Sequence, residues 1–229
     1  MLNLLLFVRE LCWKSNECVN VLQNDSKIIG LAMTIKKKLT LLEGLKNRVS
    51  HPRLTDPMPS VEELAHCYEA AFRAPDHAWL RPWRFIECRG TERDQLGVLL
   101  AKGLERDVSG LSEQQIEKVK NGPLRAPLVI VCYAHINDHP KVPVLEQQIA
   151  AGCAAHSLIM ALYALGYGAV WRTGDAAYSQ SVRESLNLDV NEQIIGFLYV
   201  GTPLAEDKEV PKLEKDDFVT SLAAQLAKK

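Results

Sequence analysis

Two continuous apolar runs limit what this chain can fold into. They span residues 128–134 and 194–200, and both are rich in valine, isoleucine and leucine. Runs of this length and composition predict strands that are buried on both faces. Between them, residues 144–165 form a proline-free stretch that predicts a long helix ending near Gly166. Buried strands need helices over both faces of their sheet, so the pattern predicts an α/β or α+β sandwich.

Shorter patterns supply the remaining layers. Ser60 and Glu63 fit a capping box, in which a hydroxyl and a carboxylate satisfy free backbone N–H groups at the start of a helix. Ser112 and Gln115 repeat this pattern. The predicted helices are residues 39–48, 61–74, 91–106, 112–121 and 179–186, and the other predicted strands are residues 84–88 and 169–172.

Composition excludes several classes of protein. Of the 229 residues, 47% are hydrophobic and 24% are charged, which suits a chain with a large core and excludes a wholly disordered protein. The 27 basic residues balance 28 acidic ones, so the chain lacks the basic excess of nucleic-acid-binding and polybasic membrane-binding proteins. The apolar residues 1–8 are too few to cross a bilayer. We therefore expect neither a nucleic-acid partner nor a membrane partner.

The chain divides at residue 32. Residues 1–32 lack clean periodicity, and we interpret them as an N-terminal appendage that can be disordered and that an upstream start codon would add. Residues 33–229 then form a single domain. Cysteines 67, 88, 132 and 153 lie among apolar neighbours, and no C-x-x-C pair occurs, which favours reduced core thiols over a disulfide framework. Reduced thiols predict a cytoplasmic protein.

Three clusters each bring arginine together with a hydroxyl, an aromatic ring or an imidazole. They are Arg48-Val49-Ser50, the loop at residues 73–83, and Trp171-Arg172-Thr173 at the end of a predicted strand. Guanidinium groups suit a phosphate or a carbonyl-bearing ring, and ligands of layered α/β folds gather at strand ends. The chain has no G-x-S-x-G nucleophile motif and no glycosidase-like carboxylate pair. We infer that it binds an anionic cofactor, which would carry the chemistry.

Two further patterns are interpreted as structural. The G-Y-G-A-V-W stretch at residues 166–171 looks like a dinucleotide fingerprint, but it closes a helix and opens a strand, whereas the fingerprint does the reverse. His135 and His139 follow a strand, and a solvated loop is favoured there over a metal site. We predict no metal ligand and no catalytic acid, base or nucleophile in this chain.

Eight segments in order resemble the nitroreductase family of FMN-dependent oxidoreductases, and within it the YdjA-like branch. They are residues 47–50, 73–77, 81–83, 125–128, 141–143, 151–153, 166–172 and 196–203. The resemblance implies a nitroreductase-like α+β fold, an α/β three-layer sandwich in which helices flank a central sheet that is mainly antiparallel or mixed. It also implies an intertwined homodimer with two FMN sites across the subunit interface.

The resemblance also implies which residues contact the cofactors. FMN would be held by the residues that match the family's motifs: Arg48, Val49, Ser50, Arg73, His77, Trp171, Arg172 and Thr173. NAD(P)H, the co-substrate, would contact the segment formed by Ala161, Leu162, Tyr163, Ala164, Leu165 and Gly166. Two positions depart from the family pattern. Val49 stands where an arginine is usual. Arg81 stands where glutamine is common, and we expect this arginine to favour a more anionic acceptor.

The activity implied by the resemblance is hydride transfer from NAD(P)H through the flavin to a small acceptor, either a nitroaromatic, a quinone or a similar electron-poor molecule. One alternative is a flavoenzyme of the same fold with other chemistry, namely dehalogenation, enone reduction or dehydrogenation. A second alternative is a non-catalytic flavin-binding protein.

The helix predicted at residues 147–166 bears on the assembly. It is apolar nearly all round and rich in alanine and glycine. A helix with this pattern is expected to be buried on every side. Two arrangements achieve that burial, a position against a partner subunit and a position at the centre of a monomer.

Overall fold

The centre of the protein is an antiparallel sheet of five strands. The computed structural model describes residues 41–205 and 209–227, and the appendage predicted at residues 1–32 lies outside them. The strands are β1 (Leu54–Thr55), β2 (Trp83–Arg89), β3 (Leu128–His135), β4 (Gly168–Arg172) and β5 (Glu192–Pro203). Their order is β1-β5-β3-β2, and β4 also pairs with β5. Each of these pairings is antiparallel, which confirms the mainly antiparallel sheet.

The two apolar runs of the sequence become the neighbouring strands β3 and β5. Leu128 pairs with Val200, and β2 pairs along its whole length with β3. Five consecutive residues of β3, from Leu128 to Cys132, are buried, as expected for a strand covered on both faces. β5 exceeds the predicted run at both ends, because its first residues pair with the end of β3 and its last residues pair with β1.

The described residues form eight α-helices around this sheet. They are α1 (Leu41–Asn47), α2 (Val61–Ala71), α3 (Glu92–Asp107), α4 (Glu113–Lys120), α5 (Val144–Ala164), α6 (Gly174–Tyr178), α7 (Gln180–Ser185) and α8 (Leu222–Leu226). Both predicted capping boxes form, at the starts of α2 and α4. The helix predicted to reach residue 74 ends at Ala71, because the N–H groups of Arg73 and Ala74 bond three residues back in a tighter turn.

Helices cover both faces of the sheet. On one face, α2 and α5 pack Leu64 and Leu158 against Ile130 of β3. On the opposite face, α3 packs Leu100 against Val131, the next residue of the same strand. Successive β3 side chains thus enter two separate cores, as the alternation of side chains along a strand requires. The predicted three-layer sandwich is confirmed.

Helix α5 is buried on one side only within a single chain. Leu158 and Leu162 are fully buried, whereas Leu145 is 64% exposed and Ile149 is 56% exposed. Burial on every side is therefore wrong for one chain, because the sheet covers α5 from a single direction. Among the described residues, no helix has both the length and the apolar character needed to cross a membrane.

The cysteines that the structure describes are free thiols. Cys67, Cys88 and Cys132 are buried, and Cys153 is half-buried. This confirms the predicted core thiols at positions 67, 88 and 132, whereas Cys153 is only partly covered. Burial, with a smaller effect of nearby glutamates, raises the pKa of Cys67 and of Cys88 to about 11. Both thiols therefore stay protonated at neutral pH.

Candidate functional site

The Arg48-Val49-Ser50 segment follows α1 and is anchored at both sides. The Tyr163 hydroxyl near the end of α5 donates to the carbonyl of Asn47, at 3.4 Å. The N–H of His51 donates to the carbonyl of Ala169 in β4, at 3.1 Å. The segment therefore lies where the end of α5 meets the start of β4. The side chains of Arg48 and Ser50 make no hydrogen bond within the described residues, so their donors are available to a ligand.

The indole of Trp171 in β4 is fixed against β5. Its Nε1–H donates to the carbonyl of Ile195, at 3.3 Å. Gly196 makes this close approach possible, because a Cβ atom there would lie only 2.1 Å from the Trp171 Nε1 atom. The far edge of the ring reaches toward Gly152, in the middle of α5. Trp171 thus forms a rigid surface between the sheet and α5.

Arg172 projects to the opposite face of the sheet. Its guanidinium carbon lies 5.7 Å from the centroid of the Tyr199 ring, close enough for a cation–π interaction. Its Nε atom is buried, and within the described residues it has no hydrogen-bond partner. A buried donor without a partner costs about 1–3 kcal/mol, and more when the group is charged. An acceptor supplied by a ligand would remove that cost.

Arg172 and Thr173 line a cavity of about 570 Å³ on this face. Lys118 and Arg125 add two further cations to its wall, and Asp175 supplies one negative charge. The floor is apolar and includes the ring of Tyr199, whose pKa is raised by burial although the nearby arginines oppose the shift. A cationic wall above an aromatic floor fits a planar ligand with an anionic or carbonyl edge. The residues present therefore fit a flavin nucleotide.

Arg73 and His77 belong to a different part of the molecule. Arg73 follows α2, and its side chain makes no hydrogen bond or ion pair within the structurally described ranges. The His77 Nδ1 atom lies 2.7 Å from a carboxylate oxygen of Glu146, in the first turn of α5. Both residues are exposed. The contact with Glu146 fixes the His77 ring at the N-terminal end of α5.

The loop that carries His77 has a strained backbone. Ala78, Trp79 and Arg81 have φ angles of +59°, +55° and +48°, in the region that favours glycine. Each such residue costs about 1–2 kcal/mol. The carboxylate of Asp76 holds the loop closed by accepting a hydrogen bond from the N–H of Arg81, at 2.8 Å. Strain of this kind concentrates at ligand-binding sites.

The predicted contacts therefore form separate groups along α5. Asn47, next to Arg48, is tied to Tyr163, whereas His77 is tied to Glu146. These two positions on α5 are separated by roughly 26 Å, at 1.5 Å per residue. Trp171 lies between them, beside Gly152, and is roughly 7 Å along β4 from Ala169. One chain thus brings the Arg48 segment near β4 but leaves Arg73 and His77 at the other end.

The segment predicted to contact NAD(P)H is the end of α5. Leu162 is fully buried, Ala161 and Tyr163 are half-buried, and Ala164, Leu165 and Gly166 are exposed. Gly166, with a φ angle of +84°, terminates the helix. The N–H of Gly166 donates to the carbonyl of Tyr163, and the N–H of the following residue donates to the carbonyl of Leu162. Only the last three residues of the segment offer an open surface to a nucleotide.

Sequence reasoning missed three members of the Arg172 cavity. Lys118, Arg125 and Tyr199 come from three different elements, and only the fold brings them beside Arg172. Arg125 lies in one of the eight resembling segments, which is the one signal that pointed to it. The rings of His135 and His139 make separate contacts within the protein. His135 contacts Glu192 at 3.0 Å, and the His139 ring accepts from the N–H of Lys141.

Comparison with known proteins identifies the family. The model of the nitroreductase family matches residues 45–202. A protein of Escherichia coli (strain K12) named "Putative NAD(P)H nitroreductase YdjA" is 40% identical over 162 residues, which cover 71% of this chain and 87% of that protein.

Solved structures share the fold. A nitroreductase-like family protein from Bacillus cereus superposes with a TM-score of 0.69 at 20% identity, covering 82% of this chain and 98% of that one. The FMN- and NADPH-dependent nitroreductase NfnB from Sphigopyxis sp. strain HMH gives a TM-score of 0.63 at 20% identity, covering 80% of this chain and 99% of that one. Together with the sequence match over most of the chain, this places the protein in the nitroreductase family of oxidoreductases.

Proposed function

We propose that this protein is an FMN-dependent oxidoreductase that passes hydride from NAD(P)H to small electron-poor acceptors, nitroaromatics and quinones among them. The observation that carries the proposal is the cavity of Arg172, where a buried guanidinium donor without a protein partner faces a cationic wall and an aromatic floor. The similarity to the YdjA protein, named as an NAD(P)H nitroreductase, supports NAD(P)H as the donor. The shared fold with the FMN- and NADPH-dependent NfnB supports FMN as the cofactor.

Different residues would bind different parts of FMN. The free donors of Arg48 and Ser50 suit the phosphate, and Arg172 suits the anionic edge of the ring. Thr173 lines the same cavity beside Arg172. The contact of Trp171 with FMN stays a prediction, because Trp171 faces the other side of β4 and does not line this cavity. When bound, FMN supplies the hydride chemistry, accepting hydride from the nicotinamide and donating it to the acceptor. None of these side chains is assigned a role as acid, base or nucleophile.

We further propose that the active form is an intertwined homodimer with FMN at the interface. The separation of Arg48 from His77 along α5 supports this, because a second protomer can bring its own His77 to the Arg48 end. Exposed apolar surface supports it too. Leu41 is 77% exposed on α1, the stripe of Leu145 and Ile149 runs along α5, and every residue of 209–227 is exposed. The buried free thiols fit the reducing cytoplasm.

Flavin binding tests the proposal directly. Purified protein should be yellow, and apoprotein should quench the fluorescence of added FMN. Arg172→Met should weaken FMN binding about tenfold or more, because the buried site loses a charged donor. Lys102→Met is the matched control, since Lys102 is an exposed cation on α3 and does not line the cavity. A protein that binds no FMN would contradict the proposal.

Reduction of the bound flavin separates the enzyme from its alternatives. NADH and NADPH are titrated anaerobically into the FMN-loaded protein while the absorbance near the flavin maximum is followed. Bleaching by either nucleotide, and recovery on adding a nitroaromatic or a quinone, is the expected result. A flavin that binds but is reduced by neither nucleotide would instead indicate a flavin-binding protein without this activity.

A further inference from the structure

A second, larger cavity of about 930 Å³ opens between the end of α2 and β2. Five aromatic side chains line it: Tyr68, Phe72, Trp79, Trp83 and Phe85. Two of these rings face solvent, since Trp79 is 79% exposed and Phe72 is 52% exposed. Large exposed rings around a concave surface offer stacking faces for a planar aromatic ligand.

The charges of this cavity are unbalanced. Arg73, Arg81 and Arg84 line it together with the two acids Asp76 and Glu87. The Glu87 carboxylate is already engaged by a guanidinium outside the cavity, at 2.6 Å. One Arg84 nitrogen donates to the carbonyls of residues 81 and 83, so Arg84 supports the loop. A net positive charge is left over at the cavity.

Arg81 is the cation best placed for a ligand. Asp76 binds the backbone N–H of Arg81 and so fixes the turn, while the Arg81 guanidinium lies 5.8 Å from the centroid of the Trp79 ring. In the described part of the chain, neither Arg81 nor Arg73 forms a side-chain salt bridge. The strained backbone at residues 78–81 therefore presents an aromatic ring and an unpaired guanidinium side by side.

We propose that this cavity binds aromatic carboxylates, with the ring stacked on Trp79 and the carboxylate held by Arg81. The assignment of these molecules as electron acceptors rests on the proposed function, so that the acceptor class becomes electron-poor arenes that carry a carboxylate. Arg81 is then a specificity-determining residue and takes no part in the hydride transfer. Planar guanidinium and carboxylate groups make paired, charge-assisted hydrogen bonds, which favours the carboxylate over a neutral ester of equal size.

The first test compares 4-nitrobenzoate with its methyl ester, using the FMN-loaded protein. The ratio of their kcat/KM values is measured in wild type, in Arg81→Gln and in Lys102→Gln, an exposed charge on the opposite helix layer. Arg81→Gln should lower the acid-to-ester ratio about fivefold or more, mainly through KM of the acid. Lys102→Gln should leave the ratio at the wild-type value. An equal ratio in wild type and Arg81→Gln would overturn the proposal.

A second test needs no turnover. Binding of benzoate, which has no reducible group, is measured by titration calorimetry with the same three proteins. Benzoate should bind wild type and Lys102→Gln and should bind Arg81→Gln about fivefold more weakly. Absence of benzoate binding, or equal binding to all three, would overturn the site. Arg81-dependent binding in a protein that reduces no acceptor would refute the proposed function and leave this site standing.

Discussion

The exposed stripe on α5 leads to a quantitative prediction about assembly. Leu145 is 64% exposed and Ile149 is 56% exposed in the isolated chain. Full burial of such a side chain is worth about 1.5–3 kcal/mol, so covering the exposed part contributes about 1–2 kcal/mol for each. A two-fold dimer contains each residue twice, which gives four side chains. Truncating both residues to alanine should therefore cost the dimer about 4–8 kcal/mol, a thousandfold or larger increase in its dissociation constant.

Sedimentation velocity over a dilution series measures this change. Wild type should sediment as a dimer at concentrations where the Leu145→Ala, Ile149→Ala double variant sediments as a monomer. Val61→Ala is the matched control, because Val61 is 73% exposed on α2 and is distant in sequence from the stripe. Circular dichroism checks that the double variant remains folded, as expected for changes at exposed positions. A wild type that is monomeric throughout, or a double variant that associates as tightly as wild type, would refute the reasoning.

Three further predictions concern stability and reactivity. The Ser179 and Ser181 hydroxyls hold the pKa of the Asp107 carboxyl below its usual value, so Asp107→Asn should lower Tm at pH 7. This gap should shrink in melting curves as the pH falls from about 3.9 through the lowered pKa of the folded-state carboxyl, where the carboxylate becomes protonated, and a gap that persists below that pKa would contradict the assignment. Gly103→Ala places a Cβ 2.6 Å from the backbone of α7 and should lower the free energy of unfolding, measured in urea, by about 1–3 kcal/mol. An unchanged free energy of unfolding would mean that α3 and α7 are less closely packed. With its pKa near 11, Cys67 should resist iodoacetamide at pH 8 in peptide mapping while the half-buried Cys153 reacts, and the reverse order would contradict the buried assignment.

The sequence predicts the helices and strands of the sandwich better than it predicts where they pair and which of their faces stay exposed. β3 could be read directly, because a strand buried on both faces must be apolar at every position. The capping boxes at Ser60 and Ser112 could also be read, since their partners lie three residues away. The ends of β5 could not, because they depend on pairing with β1 and β3. The exposure of Ile149 could not be predicted either, because the sequence pattern is the same whether the sheet or another chain covers an apolar residue.

The candidate site shows the same division. Arg48, Arg73 and Arg172 could be picked out as residues suited to an anion, because guanidinium chemistry is local. Their distribution along α5 could not, since it depends on how the helix lies across the sheet. The left-handed backbone of the loop at residues 78–81 also left no trace, because none of its residues is a glycine. Only the fold shows that Arg125 shares a cavity with Arg172.

The proposed dimer, with FMN held across its interface, predicts that cofactor binding and assembly are coupled. If Arg48 of one protomer and His77 of the other hold the same FMN, the ligand binds the dimer and not the monomer. Mass action then requires that FMN tighten the dimer by the same factor by which dimer formation tightens FMN. A site contained within one chain would show no such coupling. The loss of the α5 stripe should therefore release the flavin on dilution, although neither Leu145 nor Ile149 lines the Arg172 cavity.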